Sequence, residues 1–330
     1  MITNGDLDLG FEVIVMSKNP KISVVTPAHN EEEDIHKALD SVLSSGYSNL
    51  EFIISNDGSI DGTVEVVKSY MKKNKNIKLV DHPTGTSAAA ARNRGAKKAT
   101  GEILVFLDAD TGISDGFLQS IAKNFEDKRI DSVGHMKENT FSNLLSRLVA
   151  LLGRPSKEVR EIKDGQIIKN YIGYNPFVIS RKAFLDLKGF DEKIFYYEDE
   201  DLGKRFFSKG YKGVWNSKIL FYSEQPADLK GVYRQCLWSG KGIASMKDKE
   251  RQKNEIKYSA AKLAFMFGPF GLLFFNIYLG AFFILAAYAL TYFYALRASK
   301  SVFYSFLMVP VMYLRNLFEF YGIMRYLIKK

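Results

Sequence analysis

The chain of 330 residues contains a single cysteine, Cys236, and can therefore form no internal disulfide. This fits a protein that is kept in a reducing compartment. All four histidines lie before residue 136, so the second half has none to act as a base or as a metal ligand. The first 21 residues lack a basic segment followed by an apolar one, and we expect no secretory signal.

Charge is absent from one long stretch near the C-terminus. Residues 263–296 contain no Asp, Glu, Lys or Arg, and this stretch exceeds the ~20 residues that one membrane-spanning helix needs. Two interpretations are open: a short helical hairpin that turns near residues 276–280, or a bent interfacial approach followed by one long span. Basic residues flank the stretch on both sides, which favours the hairpin. Residues 301–314 predict an interfacial or re-entrant piece.

The net charge of +9 is concentrated in this C-terminal part. From residue 258 onward, seven basic residues stand against one acidic residue, so this part carries six of the nine charges. Basic residues beside apolar runs are typical of proteins at a membrane surface. The compact basic stripe that binds nucleic acid is not present. We therefore expect membrane lipids among the partners, and no nucleic acid.

The first half of the chain alternates short apolar runs with helical patterns. The strands predicted in this way are 22–27, 51–56, 77–80 and 103–107, and the helices are 31–45, 62–71 and 87–100. Further along, we predict a helix at 141–152, a strand at 174–180 and a helix at 198–208. The alternation predicts an α/β fold with a mostly parallel sheet covered by helices. Ligands of such sheets bind beyond the carboxyl ends of the strands.

Asp108 and Asp110 directly follow the fourth predicted strand, separated by one alanine. Like charges at this spacing repel each other, so we expect a cation beside them. Three interpretations are open for D-A-D-T alone. The acids could be solvated at a strand end, or they could be the nucleophile and the acid/base of a haloacid-dehalogenase-like phosphatase. They could also bind Mn²⁺ or Mg²⁺ that holds a nucleotide diphosphate.

Three further motifs precede this acidic pair. They are P-A-H-N-E from Pro27, N-D-G-S-I-D-G-T from Asn56 and A-R-N-R-G from Ala91. In this order the four motifs resemble the inverting glycosyltransferases of family 2, which have the GT-A fold, over residues 22 to about 242. A dehalogenase-like phosphatase has its acidic pair after the first strand, so the order favours the transferase. A non-catalytic nucleotide-binding module is the remaining alternative.

The resemblance implies roles for the matching residues. The implied nucleotide-binding residues are Pro27, His29, Glu31, Asp57, Arg92, Asn93 and Asp108. Among them, Asp57 would accept a hydrogen bond from the base, as a carboxylate that reads uracil would. Asp110, together with Asp108, would bind the divalent metal, Mn²⁺ or Mg²⁺.

Two later segments resemble family segments that carry the catalytic base. They are G-F-D-E from Gly189 and E-D-E-D-L from Glu198. The resemblance implies Asp199 as the base that takes the proton of the acceptor hydroxyl, a role worth ~10²–10⁴ in rate. Glu198 is the alternative base. Acids at the start of a helix also suit the helix dipole, so both could be capping groups alone.

The segment Y-R-Q-C-L-W-S-G-K-G resembles the part of the family that closes over the diphosphate. It implies that Arg234, Trp238 and Lys241 lie at the leaving group. Processive synthases carry Q-x-x-R-W here, whereas this chain has Leu237 in the place of that arginine. The difference implies the transfer of one or a few sugars. Trp238 could instead anchor the chain at a membrane interface.

These observations predict three parts. An N-terminal extension occupies residues 1–20, a GT-A catalytic domain 21–257 and a membrane-associated helical tail 258–330. Within the domain, 21–112 would bind the nucleotide and 113–257 the acceptor. The expected reaction moves a sugar from a nucleotide-sugar donor, UDP-linked, to a lipid-linked or other membrane-proximal glycan acceptor. We expect the enzyme at the cell membrane, multi-pass or anchored by a hairpin, with the catalytic domain in the cytoplasm.

Overall fold

The structure, a computed structural model, describes residues 19–152, 162–168, 177–246 and 248–328. The N-terminal extension predicted over residues 1–20 lies outside the described residues, apart from its last two positions. The same holds for the first residues of the strand predicted at 174–180.

The described residues form one mixed sheet of nine strands. The strands are β1 (Ile22–Ala28), β2 (Leu50–Asp57), β3 (Ile77–His82), β4 (Ile103–Phe106), β5 (Thr111–Ile113), β6 (Ser132–Thr140), β7 (Ile167–Ile168), β8 (Phe177–Ser180) and β9 (Gly213–Glu224). Their spatial order is β3-β2-β1-β4-β8-β6-β9-β5, with β7 beside β9. The first four strands pair in parallel, whereas β8 runs antiparallel to β4 and β5 runs antiparallel to β9.

Helices cover both faces of this sheet and continue into the C-terminal part. They are α1 (Ile35–Ser44), α2 (Thr63–Lys73), α3 (Ala88–Lys98), α4 (Phe117–Asn124), α5 (Leu144–Leu152), α6 (Arg181–Asp186), α7 (Glu198–Ser208), α8 (Leu229–Ser245), α9 (Lys249–Leu272), α10 (Ile277–Ser299) and α11 (Val302–Ile328). On one face, α1, α2 and α4 bury apolar side chains against the sheet. On the other face, α3, α6 and α7 do so. The predicted α/β architecture is confirmed.

The predicted elements of the first half are confirmed to within a few residues, with one exception. Helix α1 begins at Ile35 rather than at residue 31. The intervening residues form a turn, in which the Glu31 carbonyl accepts hydrogen bonds from the amides of Asp34 and Ile35. Strand β6, like β5 and α4, was not predicted, because its sequence S-V-G-H-M-K-E-N-T has neither an apolar run nor a regular alternation of apolar and polar residues.

The last helix is packed into the part of the chain that carries the sheet. Helix α11 crosses α8 closely, and two glycines make this approach possible. A Cβ atom on Gly240 would contact the Glu319 carbonyl oxygen and lie 2.7 Å from the Ile323 amide nitrogen. A Cβ atom on Gly322 would lie 3.0 Å from the Cα atom of Leu237. The predicted tail boundary at residue 258 falls inside α9.

We expect Gly240→Ala to lower the free energy of unfolding by about 1–3 kcal/mol, because backbone atoms of α11 must move to admit the new methyl group. Gly268→Ala is the matched control, since a Cβ atom at Gly268 meets nothing within 4 Å. It should be neutral or stabilising by up to about 1 kcal/mol, as alanine favours helix. Unfolding curves of both variants in the same detergent test this, and changes of the same sign would contradict the close α8–α11 crossing.

Among the described residues, α10 is the one helix long and apolar enough to cross a membrane. The predicted turn of a hairpin near residues 276–280 is found slightly earlier, at 273–276, between α9 and α10. Residues 301–314 belong to the longer helix α11, which contains Pro310.

Candidate active site at the strand ends

The carboxyl ends of three parallel strands meet at one edge of the sheet. Because β1 pairs with both β2 and β4 in parallel, His29, Asp57 and Asp108 lie at that edge. The His29 Nδ1 atom donates a hydrogen bond to the Asp57 carbonyl at 2.8 Å. Pro27, within β1, pairs with Ser55 of β2. The structure therefore brings together the strand-end residues that the sequence predicts.

Arg92 of α3 connects the two groups of candidate acids. Its guanidinium donates to Asp108 Oδ1 at 2.7 Å and also forms an ion pair with Glu198. The residue is only 7% exposed, and its guanidinium lies 5.7 Å from the centre of the Phe190 ring. Burial alone would lower the pKa of Arg92, but the charges of Asp108 and Glu198 outweigh it. The net pKa is raised above the ordinary value, so the side chain stays charged. Arg92 is thus one cation that the acidic pair requires.

A cluster of acids remains on the other side of Asp108. Burial, Asp110 and Asp34 raise the pKa of Glu31 to about 8. The surrounding protein and Asp108 raise the pKa of Asp110 to about 6, although its side chain opens to solvent. Lys37, whose charge lowers the pKa of Asp110, is already shared between Asp34 and Glu224, each at 2.7 Å. The site thus carries more negative charge than its own cations neutralise.

We expect stability to fall between pH 5 and pH 8 when divalent cations are chelated. The folded chain keeps the Glu31 proton up to about pH 8, whereas the unfolded chain releases it near the ordinary value. Folding is therefore penalised increasingly as the pH rises through this window. Allowing for partial exposure, the decline due to Glu31 should be about 2 kcal/mol.

Denaturant unfolding at the two pH values in the presence of EDTA measures this decline. Glu31→Gln should reduce it, because glutamine carries no titrating proton. Glu33→Gln, at an exposed position two residues away, is the matched control and should leave it unchanged. An equal slope in the wild type and in Glu31→Gln would show that Glu31 does not titrate in this way.

Asp57 already makes three hydrogen bonds within the chain. The Thr86 amide and hydroxyl each donate to it at 2.7 Å, and Arg94 forms an ion pair with it. A carboxylate has about four acceptor positions. One position on Oδ2 therefore remains for a hydrogen bond from a bound base, and the predicted role of Asp57 stays a prediction.

Asn93 uses its side chain to hold a neighbouring turn. Its amide donates to the Phe190 carbonyl and to Glu192, both at 2.9 Å, and it accepts from the Phe190 amide at 3.0 Å. A Cβ atom on Gly189 would lie 2.6 Å from the same amide oxygen. This geometry gives Asn93 a role in positioning the turn before α7, and its predicted contact with the nucleotide is not tested.

Glu198 and Asp199 form the first turn of α7. The Glu198 side chain is largely buried, and burial raises its pKa even though Arg92 opposes the rise. Asp199 Oδ1 accepts a hydrogen bond from the Glu200 amide at 2.9 Å, and Asp199 is near enough to Arg92 to raise the pKa of Arg92. The two candidate bases therefore lie beside the guanidinium that also binds Asp108.

Helix α8 brings its candidate residues to the segment just before α7. The Trp238 ring, 64% exposed, meets the Tyr196 ring edge-on at 5.4 Å between centroids. The Lys241 ammonium lies 5.5 Å from the centre of the Tyr196 ring. Arg234 is exposed one turn before Trp238. Trp238 and Lys241 are thus close to the acids of α7.

Lys137 of β6 is a candidate that motif analysis missed. Burial lowers its pKa, and the nearby charges of Asp110 and Asp108 oppose this, so Lys137 lies within electrostatic range of the acidic pair. No motif surrounds it, and its segment has no regular alternation of apolar and polar residues, so the sequence offered no signal for it. It is the third basic residue near these acids, beside Arg92 and Lys37.

A divalent cation such as Mg²⁺ requires several oxygen ligands around one position. No group of three or more His, Cys, Asp or Glu side chains arranged for a metal is found in the parts of the chain that the structure describes. Asp108 and Asp110 nevertheless offer hard oxygen ligands, and the raised pKa values around Asp110 show a deficit of positive charge. Mg²⁺ is often held by one or two carboxylates and substrate phosphates, so the residues fit such an ion.

A family model described as Glycosyl transferase family 2 matches residues 23–188, half of the chain. The chain belongs to glycosyltransferase family 2. The predicted family is confirmed, and the protein is a glycosyltransferase. This membership does not favour the phosphatase alternative.

The chain matches different fractions of the length of its curated relatives. An uncharacterized glycosyltransferase of Haemophilus influenzae is 28% identical over 69% of this chain and 98% of its own length. The poly-beta-1,6-N-acetyl-D-glucosamine synthase of Staphylococcus epidermidis is 28% identical over 65% of this chain, which spans about half (52%) of that synthase. The match covers 28% of Escherichia coli YibD at 38% identity.

Solved glycosyltransferases share the fold. The mannosyltransferase PcManGT of Pyrobaculum calidifontis, in complex with GDP-Man and Mn²⁺, superposes with a TM-score of 0.59, at 17% identity over 94% of this chain and 88% of its own. S. aureus TarS 1–349 with UDP-GlcNAc gives 0.54, at 15% identity over 94% and 91%. These likenesses confirm the predicted GT-A fold of the family 2 enzyme.

Proposed function

We propose that this family 2 glycosyltransferase transfers a sugar from a nucleotide-sugar donor, UDP-linked, to a lipid-linked or other membrane-proximal acceptor with inversion. The observation that carries the proposal is the Arg92 bridge. It joins Asp108, at the end of β4, to Glu198, at the start of α7. A donor group held at the strand end would thereby lie beside a carboxylate that can take a proton.

In the proposed reaction, the acceptor hydroxyl attacks the anomeric carbon of the sugar while the nucleotide diphosphate leaves. Asp199 takes the hydroxyl proton, and Arg92 holds Glu198 beside it. Arg234 and Lys241 neutralise the charge that develops on the diphosphate. Asp110, with Asp108, would hold a divalent cation, which would supply further charge neutralisation there.

The nature of the donor is supported by the solved relatives. TarS structures contain UDP or UDP-GlcNAc, and PcManGT contains GDP-Man with Mn²⁺. They support a nucleotide-sugar donor and a divalent cation for this enzyme. The open acceptor position on Asp57 fits a base that presents an N–H donor, and the uracil of a UDP-linked donor is such a base.

The apolar C-terminal part supports an acceptor that lies at the membrane. Helix α10 is apolar enough to cross a membrane, and α11 packs closely on α8, which carries Trp238 and Lys241. The active site would therefore be held at a bilayer, with the sheet on the cytoplasmic side where nucleotide sugars are made.

A transfer assay tests the proposal. The purified full chain is incubated with a panel of nucleotide sugars, Mn²⁺ and a polyprenyl phosphate or lipid-linked acceptor, and the product anomer is determined by NMR. We expect transfer with inversion and no transfer by Asp110→Asn. Phosphate release from a lipid phosphate without any nucleotide would support the phosphatase instead, and nucleotide binding without turnover would support a binding module.

Replacing Lys137 with methionine should lower kcat/KM for the donor about 10- to 100-fold, the range expected when a charge-assisted contact is lost. Lys137 lies within electrostatic range of Asp108 and Asp110, where the diphosphate would be bound. Lys218→Met, at an exposed position on the same sheet, is the control and should retain wild-type kinetics. Equal kinetics for the two variants would remove Lys137 from the donor site.

A further inference from the structure

We propose that the C-terminal part enters only one leaflet of a bilayer, as a helical hairpin of α9 and α10, and does not cross the membrane. This deepens the membrane association proposed above and rests on it. The occupant of the exposed apolar face is therefore a lipid leaflet.

The first leg of the hairpin is too short to span. The last charged residue of α9 is Lys262, and the helix ends ten residues later at Leu272. At 1.5 Å per residue this leg reaches about 15 Å, half of the ~30 Å hydrocarbon core. The chain then reverses and brings α10 back against the end of α9. A Cβ atom on Gly280 would lie 2.7 Å from the Leu273 amide nitrogen. The turn is therefore within the first leaflet.

A spanning α10 would bring charges of α9 into the bilayer. The two helices pack against each other, so about 20 residues of α9 before the turn would share the depth of a spanning α10. These residues include Lys253, Glu255, Lys257 and Lys262. Charged side chains at such depth are costly and rare unless they face a protein interior. The composition of α10 alone suggests a membrane span, but the charged residues of the adjacent helix α9 argue against one.

One face of the C-terminal end of α10 packs against other helices of the chain. Ala295 is fully buried against Leu148 of α5 and Met308 of α11. Helix α5 is itself packed on α8 through Val149, Val232 and Cys236. One face of the last turns of α10 therefore lies against the part of the chain that carries the active site, while the opposite face, with Phe293 and Tyr294, stays exposed.

The exposed surface fits a leaflet in both shape and charge. Phe274, Phe275 and Tyr278, at and just after the turn, are 91%, 89% and 85% exposed. An apolar surface of this kind is unusual in a soluble monomer. The charges begin at Lys262, at the base of the short leg, where its ammonium can meet anionic headgroups, and α10 carries none before Arg297. A protein partner would not require this separation of charge and aromatic side chains.

Site-specific fluorescence on the full chain tests the depth. Phe275→Cys, Lys257→Cys and Leu185→Cys are labelled with NBD, and the wild-type chain, whose one thiol is buried, serves as the labelling blank. The samples are added to vesicles of phosphatidylcholine and phosphatidylglycerol with iodide either outside or trapped inside. Lipids that carry a doxyl group at mid-chain report insertion.

We expect a blue-shifted emission at position 275, at least twofold quenching by the doxyl lipid and none by trapped iodide. The probes at 257 and 185 should stay accessible to external iodide. Quenching of the 275 probe by trapped iodide would overturn the one-leaflet arrangement, and an unshifted emission would overturn membrane insertion itself. Transfer to a soluble acceptor by the same labelled samples shows separately whether the enzyme is folded and active.

Discussion

Arg92→Met will lower the free energy of unfolding by about 3–4 kcal/mol at pH 7, the range for breaking a buried ion pair. The substitution removes the shared partner of Asp108 and Glu198. Glu198 is nearly buried and would be left without its counter-charge, whereas Asp108 keeps contact with water. Methionine retains most of the side-chain volume, so the loss measures charge rather than packing. Denaturant unfolding followed by circular dichroism gives the value.

The pH dependence separates this explanation from a general packing defect. In the variant, the pKa of Glu198 should rise above its already raised value, so the penalty belongs to the ionised form and shrinks as the pH falls toward 4.5. Arg129→Met is the control, because Arg129 pairs with Asp127 in the open at the surface, and we expect no measurable loss. If Arg92→Met unfolded like Arg129→Met, Arg92 would not be the counter-charge of the site.

The strand ends were predictable because their signals are local. An apolar run followed by polar residues identifies both a buried strand and the edge at which its ligand groups lie. β1, β2 and β4 show this pattern, and their parallel pairing brings His29, Asp57 and Asp108 together. The start of α7 was likewise predictable from four consecutive acids, which favour a helix N-terminus.

The partners of the polar side chains at the site were not predictable, since they depend on chain topology. Arg92 pairs with Glu198 across 106 positions, and Asn93 bonds to the Phe190 backbone across 97. No periodicity links such residues. The same limit explains Lys137, whose position beside Asp108 follows only from the pairing of β6 with β9 and of β9 with β5.

The C-terminal part shows the limit of reading composition one segment at a time. The charge-free run indicated a turn, which lies at 273–276, but among the described residues only α10 is apolar along its length. It could not reveal that α11 packs on α8 through Gly240, or that Ala295 is buried against Leu148. Those contacts decide how much of α10 is free to meet lipid.

Asp199→Asn should lower kcat about 10²–10⁴-fold, the usual contribution of a general base, and leave the donor dissociation constant within about twofold of the wild-type value. Asparagine keeps the size of the side chain and can still accept the hydrogen bond from the Glu200 amide, but it takes no proton. Steady-state transfer kinetics and titration calorimetry with the donor give the two quantities.

Two neighbouring variants decide whether the effect belongs to the base or to the helix start. Asp201→Asn weakens the contact with Arg205, at 2.8 Å in the same helix, and should change kcat less than tenfold, because Asp201 would only orient its neighbours. Glu198→Gln loses the ion pair with Arg92 and should reduce stability together with activity. If Asp199→Asn kept its turnover while Glu198→Gln lost it at unchanged stability, Glu198 would be the base. An isosteric change at each carboxylate therefore separates proton transfer from capping, since only the former requires a group that titrates.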